Sequence, residues 1–331
     1  MTSTHEVPVI SVKLEKHPNA DSLSIVRVYG WTVCVRTSDW ADGELGAYVQ
    51  PDMLVDTTRP EFSFLAEPGK PVNYRVKVKK LRQVVSMGLL VKAPPGSSEG
   101  EDVAEILGVT RYEPPEPSTR GGGTIHHHPA EPGPPIFTVK YDVEAWRRWK
   151  DVLVPGEDVW VSEKIHGANG RWAWHGGRLY CGSRSLWKAQ KDRNGEMTDS
   201  WWVAAVHAGI VPLLMKHENC VFYGEIFGPT QDLRYDHVPG QPPFLRIFDV
   251  LGDGIWWTPS QLADRVNEEW LVPTIYRGPY DPEAVEKMAE GQSLIASNIR
   301  EGCVIKPTDG RVHDKLGRVC LKLVGNGYYE R

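Results

Sequence analysis

Lys164-Ile-His-Gly167 is the stretch of this 331-residue chain best suited to chemistry. Ahead of it, Asp158 to Ser162 alternates, with Val159 and Val161 on one face and Trp160 and Ser162 on the other. That is the period of a half-buried strand. On the same phase Lys164 and His166 continue the Trp160 face, and Gly167 closes the strand. An amine at a strand end beside a glycine can meet a phosphate with little backbone in the way. To act as a nucleophile near neutral pH it must shed a proton that a free lysine keeps up to about pH 10.4. Nearby cations or partial burial must therefore lower its pKa. Lys306 in Glu301-Gly-Cys-Val-Ile-Lys-Pro and Lys322 in Cys-Leu-Lys-Leu-Val are the candidate neighbours, expected both to depress Lys164 and to hold a phosphate. Glu301 and Lys306 are five residues apart, which in a regular strand sends them to opposite faces. Either Glu301 lies in the entering turn, or Lys306 lies outside the pocket.

The elements that must position these residues are legible as patterns. Asp142 to Leu153 reads as a short helix ending before Pro155-Gly156, after which the Lys164 strand begins. A hairpin follows, Arg171-Trp-Ala-Trp and Arg178 to Arg184 around Gly176-Gly177. Ser200 to Met215 reads as a helix that Pro212 ends or kinks; Pro259 to Trp270 and Asp281 to Gly291 read as helices. Val221 to Gly228, Pro243 to Val250, Gly302 to Pro307 and Arg318 to Val324 read as strands. Residues 136–331 are thus expected to form an α+β domain, mostly antiparallel sheet with helices outside. Residues 1–110 look all-β, with alternating runs such as Ser24 to Tyr29 and Trp31 to Arg36 broken by Gly30, Asp42-Gly43 and Pro51-Asp52. That spacing suggests a small barrel of OB type. Between the two, residues 111–135 carry proline pairs, Gly121-Gly-Gly and His126-His-His, a linker composition that offers the histidines no fixed geometry for a metal.

The composition is that of a soluble globular protein with room for two cores. No run of about 18 apolar residues occurs, so no membrane span is expected, and the first residues lack the pattern of a signal peptide. Five cysteines without CxxC spacing read as reduced thiols of a cytoplasmic protein, not as a zinc site or a disulfide framework. No P-loop or dinucleotide-binding glycine motif is present. The net charge of −5 argues against a nucleic-acid partner, but its distribution argues back: Lys70 to Lys92 holds seven basic residues and no acid.

Lys164-Ile-His-Gly-Ala-Asn169 matches K-x-H-G-x-N and so resembles the nucleotidyl-transfer motif of the RNA-ligase branch of the covalent nucleotidyltransferases. The whole chain looks most like the Deinococcus-type RNA ligases, with an N-terminal OB-like module before an ATP-grasp-like nucleotidyltransferase domain. His17 to Leu23 and Lys79 to Leu89 also resemble OB modules that bind tRNA. The resemblance implies that Lys164 attacks the α-phosphate of ATP and carries AMP as a phosphoramidate. It implies that Glu163 sits near the adenine amino group and that Asn169 assists near phosphate and metal, with His166 a further catalytic residue. Arg184 would reach the ribose and the incoming strand end, Glu225 the ribose hydroxyls, and Phe248 would stack on adenine. Glu301 would bind Mg2+ or Mn2+, which suits a carboxylate-plus-phosphate site. The implied partner is a nicked duplex of RNA, or one containing RNA, acted on by a monomer in RNA repair.

One departure stands out. The last motif is often K-x-K, but Cys320 precedes Lys322, so one phosphate-binding cation is missing or is supplied by Arg318. Only nine residues follow Lys322, which leaves no room for the trailing OB domain of DNA ligases and capping enzymes. The competing readings are a GTP-using, capping-like nucleotidyltransferase and an inactive RNA-binding protein.

Overall fold

The computed structural model describes residues 6–112, 129–192, 194–229 and 231–330. The Pro/Gly/His-rich segment, including His126 to His128, lies mostly outside the described residues. The chain divides into two compact units, residues 1–114 and residues 115–329.

The N-terminal unit is built from short antiparallel strands. Leu23–Val28 and Trp31–Arg36 form a tight hairpin. Its turn residues Tyr29 and Gly30 both have left-handed φ, 51° and 79°, the geometry that matches strand twist in two-residue turns. Leu45–Val49 is the centre of a second sheet, with Val9–Ser11 on one side and Leu89–Lys92 on the other. Alternate side chains of these strands fill two apolar clusters, one around Val49, Val55 and Phe62 and one around Val26, Val33 and Tyr48. Lys79–Leu81 and Val84–Ser86 form a separate exposed hairpin.

Among the described residues, the C-terminal unit contains two large sheets and a small ladder of Val312–His313 with Gly317–Arg318. Strands β1 (Asp158–Lys164), β6 (Thr274–Pro279), β7 (Gly302–Pro307) and β8 (Leu321–Val324) belong to a five-stranded sheet. Its order is Glu144–Ala145, β8, β7, β1, β6, and only the first pair is parallel. Strands β2 (Ala168–His175), β3 (Arg178–Ser183), β4 (Cys220–Phe227) and β5 (Phe244–Gly252) lie in the order β3-β2-β4-β5 at the middle of a seven-stranded sheet. Gly176 and Gly177, with φ of 57° and 76°, close the β2–β3 hairpin. Trp172, Phe222, Ile226, Leu245 and Ile247 cover one face of the larger sheet and pack with Trp201 and Trp202 of the helix Ser200–His207.

Three expected helices differ. Pro259 to Trp270 is helical from Pro259 to Arg265, and after extended Val266 a separate 3-10 turn runs from Glu268 to Trp270. The segment from Asp142 is helical only from Trp146 to Trp149, with a 3-10 turn to Val152, because Glu144–Ala145 is drawn into an edge pairing with β8. Ser200 to Met215 is two helices, Ser200–His207 and Val211–Lys216. Gly209 turns left-handed between them, and Pro212, which lacks an N–H, sits in the first turn of the second.

A buried ion cluster ties the two sheets together. Asp249 of β5 receives Lys306 Nζ of β7 at 2.8 Å and both Nη1 and Nη2 of Arg318, each at 2.6 Å. The Tyr141 hydroxyl donates to the same carboxylate. Burial alone would raise the Asp249 carboxyl, but Arg318 and Lys306 overcome it and hold it at about 2. Removing one member strands the others without a counter-charge, so Asp249→Asn is expected to cost about 3–5 kcal/mol. The depressed carboxyl stabilises the fold above its unfolded value of about 3.9, and that contribution is lost as pH falls toward about 2. Urea titrations between pH 2 and 6 check both points: the gap between native protein and Asp249→Asn should be widest at pH 6 and should shrink toward pH 2.

Candidate active site

The Lys164–Asn169 motif is the crossing between the two sheets. Lys164 is the last residue of β1 and Ala168 the first of β2, so Ile165, His166 and Gly167 carry the chain from one sheet to the other. The crossing is tight. A Cβ on Gly167 would lie 2.2 Å from the Ile226 carbonyl oxygen and 2.9 Å from Glu225 Cγ. The His166 N–H donates to the Tyr235 hydroxyl at 2.7 Å, and Gln231 Nε2 donates to the Gly167 carbonyl at 3.3 Å.

Lys164 Nζ donates to Glu301 Oε2 at 2.6 Å. Register explains the meeting: Lys164 pairs with Gly302, so Glu301 falls just ahead of β7, in its entering turn. Gly302 is closely packed against β8, since a Cβ there would meet the Leu323 carbonyl oxygen at 2.0 Å. Burial would lower the Lys164 amine, but Glu301 and then Glu225 outweigh it and hold the amine above its ordinary value. Glu301 is buried, which would raise its carboxyl, yet Lys164 and His166 bring it below the usual range. Glu225 is pushed up to about 8 by burial, partly offset by Lys164 and reinforced by Glu301. The Lys322 amine is lowered by burial and by Lys164.

The expected depression of Lys164 is therefore corrected. Two carboxyl groups flank the amine, and the cation expected beside it from β7 is elsewhere. Lys306 pairs with Trp160, four residues along β1 from Lys164, a separation of about 13 Å along the strand. It is bound to Asp249 and to the Phe248 carbonyl at 2.7 Å. Lys322, which pairs with Val304 across β8 and β7, is the cation whose amine responds to Lys164. Arg318 is committed to Asp249 with both terminal nitrogens, so it does not replace the cation missing at Cys320. Cys320 is buried, with Sγ 3.7 Å from the Tyr141 hydroxyl.

Glu163 is buried, with Oε2 accepting from the Leu294 N–H at 2.7 Å. Its Oε1 is also buried and makes no hydrogen bond. Asn169 stands opposite Glu225 across β2 and β4, and its Oδ1 is likewise buried without a partner. Arg184 follows β3 and donates to the Tyr141 carbonyl at 2.9 Å and to Asp142 at 3.1 Å. Phe248 is half-buried against Tyr141, with ring centroids 4.7 Å apart. Asp232, Tyr235 and Tyr328, which surround His166, had no signal in the sequence: they lie in a loop and near the last residues, where no period marks them.

The site is thus a strand-end lysine between the two sheets, with Glu301 and Glu225 beside it and Lys322 as a further lysine. The RNA ligase family model matches residues 157–324 and an OB-fold domain model matches residues 7–93. The chain belongs to the RNA ligase family. No curated protein matches the sequence. Among solved structures, Naegleria gruberi RNA ligase is similar over the whole length. Its structure with PPi is 21% identical at a TM-score of 0.74, covering 99% of this chain and 98% of that chain. An apo aspartate-to-alanine variant is 21% identical at 0.76, covering 98% and 97%. A lysine-to-alanine variant with ATP and Mn is 20% identical at 0.75, covering 98% and 99%. These likenesses show the shared fold.

The close contacts at Gly167 lead to a first test of the site. Gly167→Ala should force the crossing apart and cost about 1–3 kcal/mol, read as a lowered urea midpoint with an unchanged slope.

Proposed function

We propose that this chain is an ATP-dependent RNA ligase acting through a lysyl-AMP intermediate on Lys164. The observation that carries the reading is the Lys164 amine, fixed 2.6 Å from Glu301 and beside Glu225 and Lys322, in a chain of the RNA ligase family. In the first step the Lys164 nitrogen forms a bond to the α-phosphorus of ATP as the bond to pyrophosphate breaks. Glu301 Oε2 already accepts a hydrogen bond from the amine and is placed to take the proton that the nucleophile must release. Lys322, whose amine is buried near Lys164, faces the phosphate as a cation. AMP then passes to a 5′-phosphate, and a 3′-hydroxyl displaces it to join the strands. Sealing of nicks in duplexes, with RNA on the 3′-hydroxyl side, and repair of broken RNA are the finer reading. The exposed Lys77, Lys79 and Arg82 of the N-terminal unit support a phosphate-backbone partner.

The orphaned Glu163 Oε1 supports adenine as the base. A carboxylate oxygen accepts hydrogen bonds only; the adenine amino group donates, whereas guanine offers an acceptor at the same position. This weighs against the GTP-using alternative. The donor set also fits a divalent cation. Among the described residues no group of three or more metal-ligating side chains is gathered, and Mg2+ or Mn2+ needs one or two carboxylates plus substrate phosphates. Glu301 would hold it, and when bound it would neutralise charge on the phosphates. The five cysteines are free, in keeping with a reducing cytoplasmic setting. Among the described residues, no helix is long and apolar enough to cross a membrane.

Incubation with α-labelled ATP and Mg2+ or Mn2+ tests the reading. The native protein should acquire an acid-labile label that Lys164→Ala does not. An unlabelled native protein with either metal would overturn it. Glu163→Ala should raise the ATP concentration for half-maximal labelling by about 10- to 100-fold, the loss of one charge-assisted hydrogen bond, and should narrow the preference over GTP.

A further inference from the structure

Resting on that reading, we infer that Asp232 is a positioning residue for lysine adenylylation, acting through His166 on the Glu301–Lys164 pair. The His166 ring has two distinct sides. Nε2 lies 2.8 Å from Asp232 Oδ1; because a carboxylate oxygen can only accept, the ring donates there. Nδ1 faces inward, 3.4 Å from Glu301 Oε2, and the Tyr328 hydroxyl lies 3.4 Å from both ring nitrogens. The Tyr328 ring closes over the imidazole at 5.3 Å between centroids.

The chain of contacts therefore runs Asp232, His166, Glu301, Lys164. Its inner members are shielded, with the side chains of Glu301 and His166 10% and 18% exposed, whereas that of Asp232 is 65% exposed. Asp232 thus contributes little packing, and what it supplies is direction. Its loop is pinned at both ends of the contact: Asp232 Oδ1 also accepts from the Leu233 N–H at 3.2 Å, and three residues on, the Tyr235 hydroxyl accepts from the His166 N–H. One loop thereby fixes both the backbone and the ring of His166. Without Asp232 the ring loses its short contact, the 3.4 Å contacts to Tyr328 and Glu301 hold it less firmly, and the wall that keeps Oε2 against the amine is loosened. Outer partners of this kind are typically worth about 10- to 100-fold.

The test compares Asp232→Ala, Asp232→Asn, His166→Ala and the double variant in single-turnover labelling with α-labelled ATP. Asp232→Ala should lower the maximal labelling rate about 10- to 100-fold with ATP half-saturation and thermal midpoint unchanged. Asp232→Asn, whose Oδ1 still accepts, should recover most of the rate. The double variant should be no slower than His166→Ala, because both act along one line. A wild-type rate in Asp232→Ala, or losses that multiply in the double variant, would overturn the inference. A separate readout needs no turnover. In histidine-15N spectra, the His166 Nε2–H should be protected from exchange in the native protein and in Asp232→Asn, and unprotected in Asp232→Ala. Equal protection in all three would defeat the positioning role even in a protein that takes no label. Failure of labelling alone, with the protection pattern intact, would defeat the ligase reading and leave the positioning in place.

Discussion

Everything in the C-terminal unit depends on keeping two sheets at a fixed distance with polar groups between them. One face of each sheet is packed with apolar side chains, and a further apolar cluster around Tyr141, Tyr223 and Leu251 lies beside Asp249 on the other face of the larger one. The Asp249 cluster meets that constraint. One carboxylate on the larger sheet is matched by Lys306 from the smaller one and by Arg318 from the segment that precedes β8, with Tyr141 closing the set. A buried charge set is stabilising only when every member is satisfied, and here each arm has a partner. The clamp is directional in a way an apolar contact would not be, so it fixes spacing and register together. Lys306 and Arg318 are consequently committed to Asp249, whereas Lys164 and Lys322 are not part of that cluster.

The crossing segment is short. Three residues separate the end of one sheet from the start of the other, so Lys164 has no slack of its own. Its position follows from strand pairing: Lys164 faces Gly302, and Glu301 comes one residue earlier. The carboxylate and the amine are held by the same ladder, and the loop at Asp232 and Tyr235 braces the other side of the crossing.

Much of this was legible in the sequence. The alternation from Asp158 to Ser162 placed Lys164 at a strand end. The turn signals placed the β2–β3 hairpin, and the five-residue gap from Glu301 to Lys306 raised both outcomes that occur, an acid in the entering turn and a lysine outside the pocket. The electrostatics were not legible. Lys306 looked like a neighbour of Lys164 because spacing along one strand does not say which residue of the next strand it faces. Asp249 was hidden by a β-bulge. Simple alternation from Arg246 puts Asp249 on the apolar face with Ile247, but the register shifts between Tyr223 and Gly224, and the extra residue turns Asp249 inward opposite Tyr223. A period-two reading has no means of finding an irregularity that side-chain types do not announce. The splitting of the expected Ser200 to Met215 helix was foreshadowed by Pro212, whereas the Glu144–Ala145 strand arises only from a partner far along the chain.

The contact between Lys164 and Glu301 carries a thermodynamic consequence. Glu301 Oε2 is a single atom, and at 2.6 Å it is already engaged by the ammonium. A cation that takes the same oxygen must weaken its hold on the lysine proton, and by linkage the proton must weaken the hold on the cation by the same factor. Arming of the amine and loading of the metal would thus be two aspects of one exchange. The acidity of Lys164 would depend on which positive charge its neighbour holds, and an amine kept harmlessly protonated in one condition would become a nucleophile in the other without movement of the backbone.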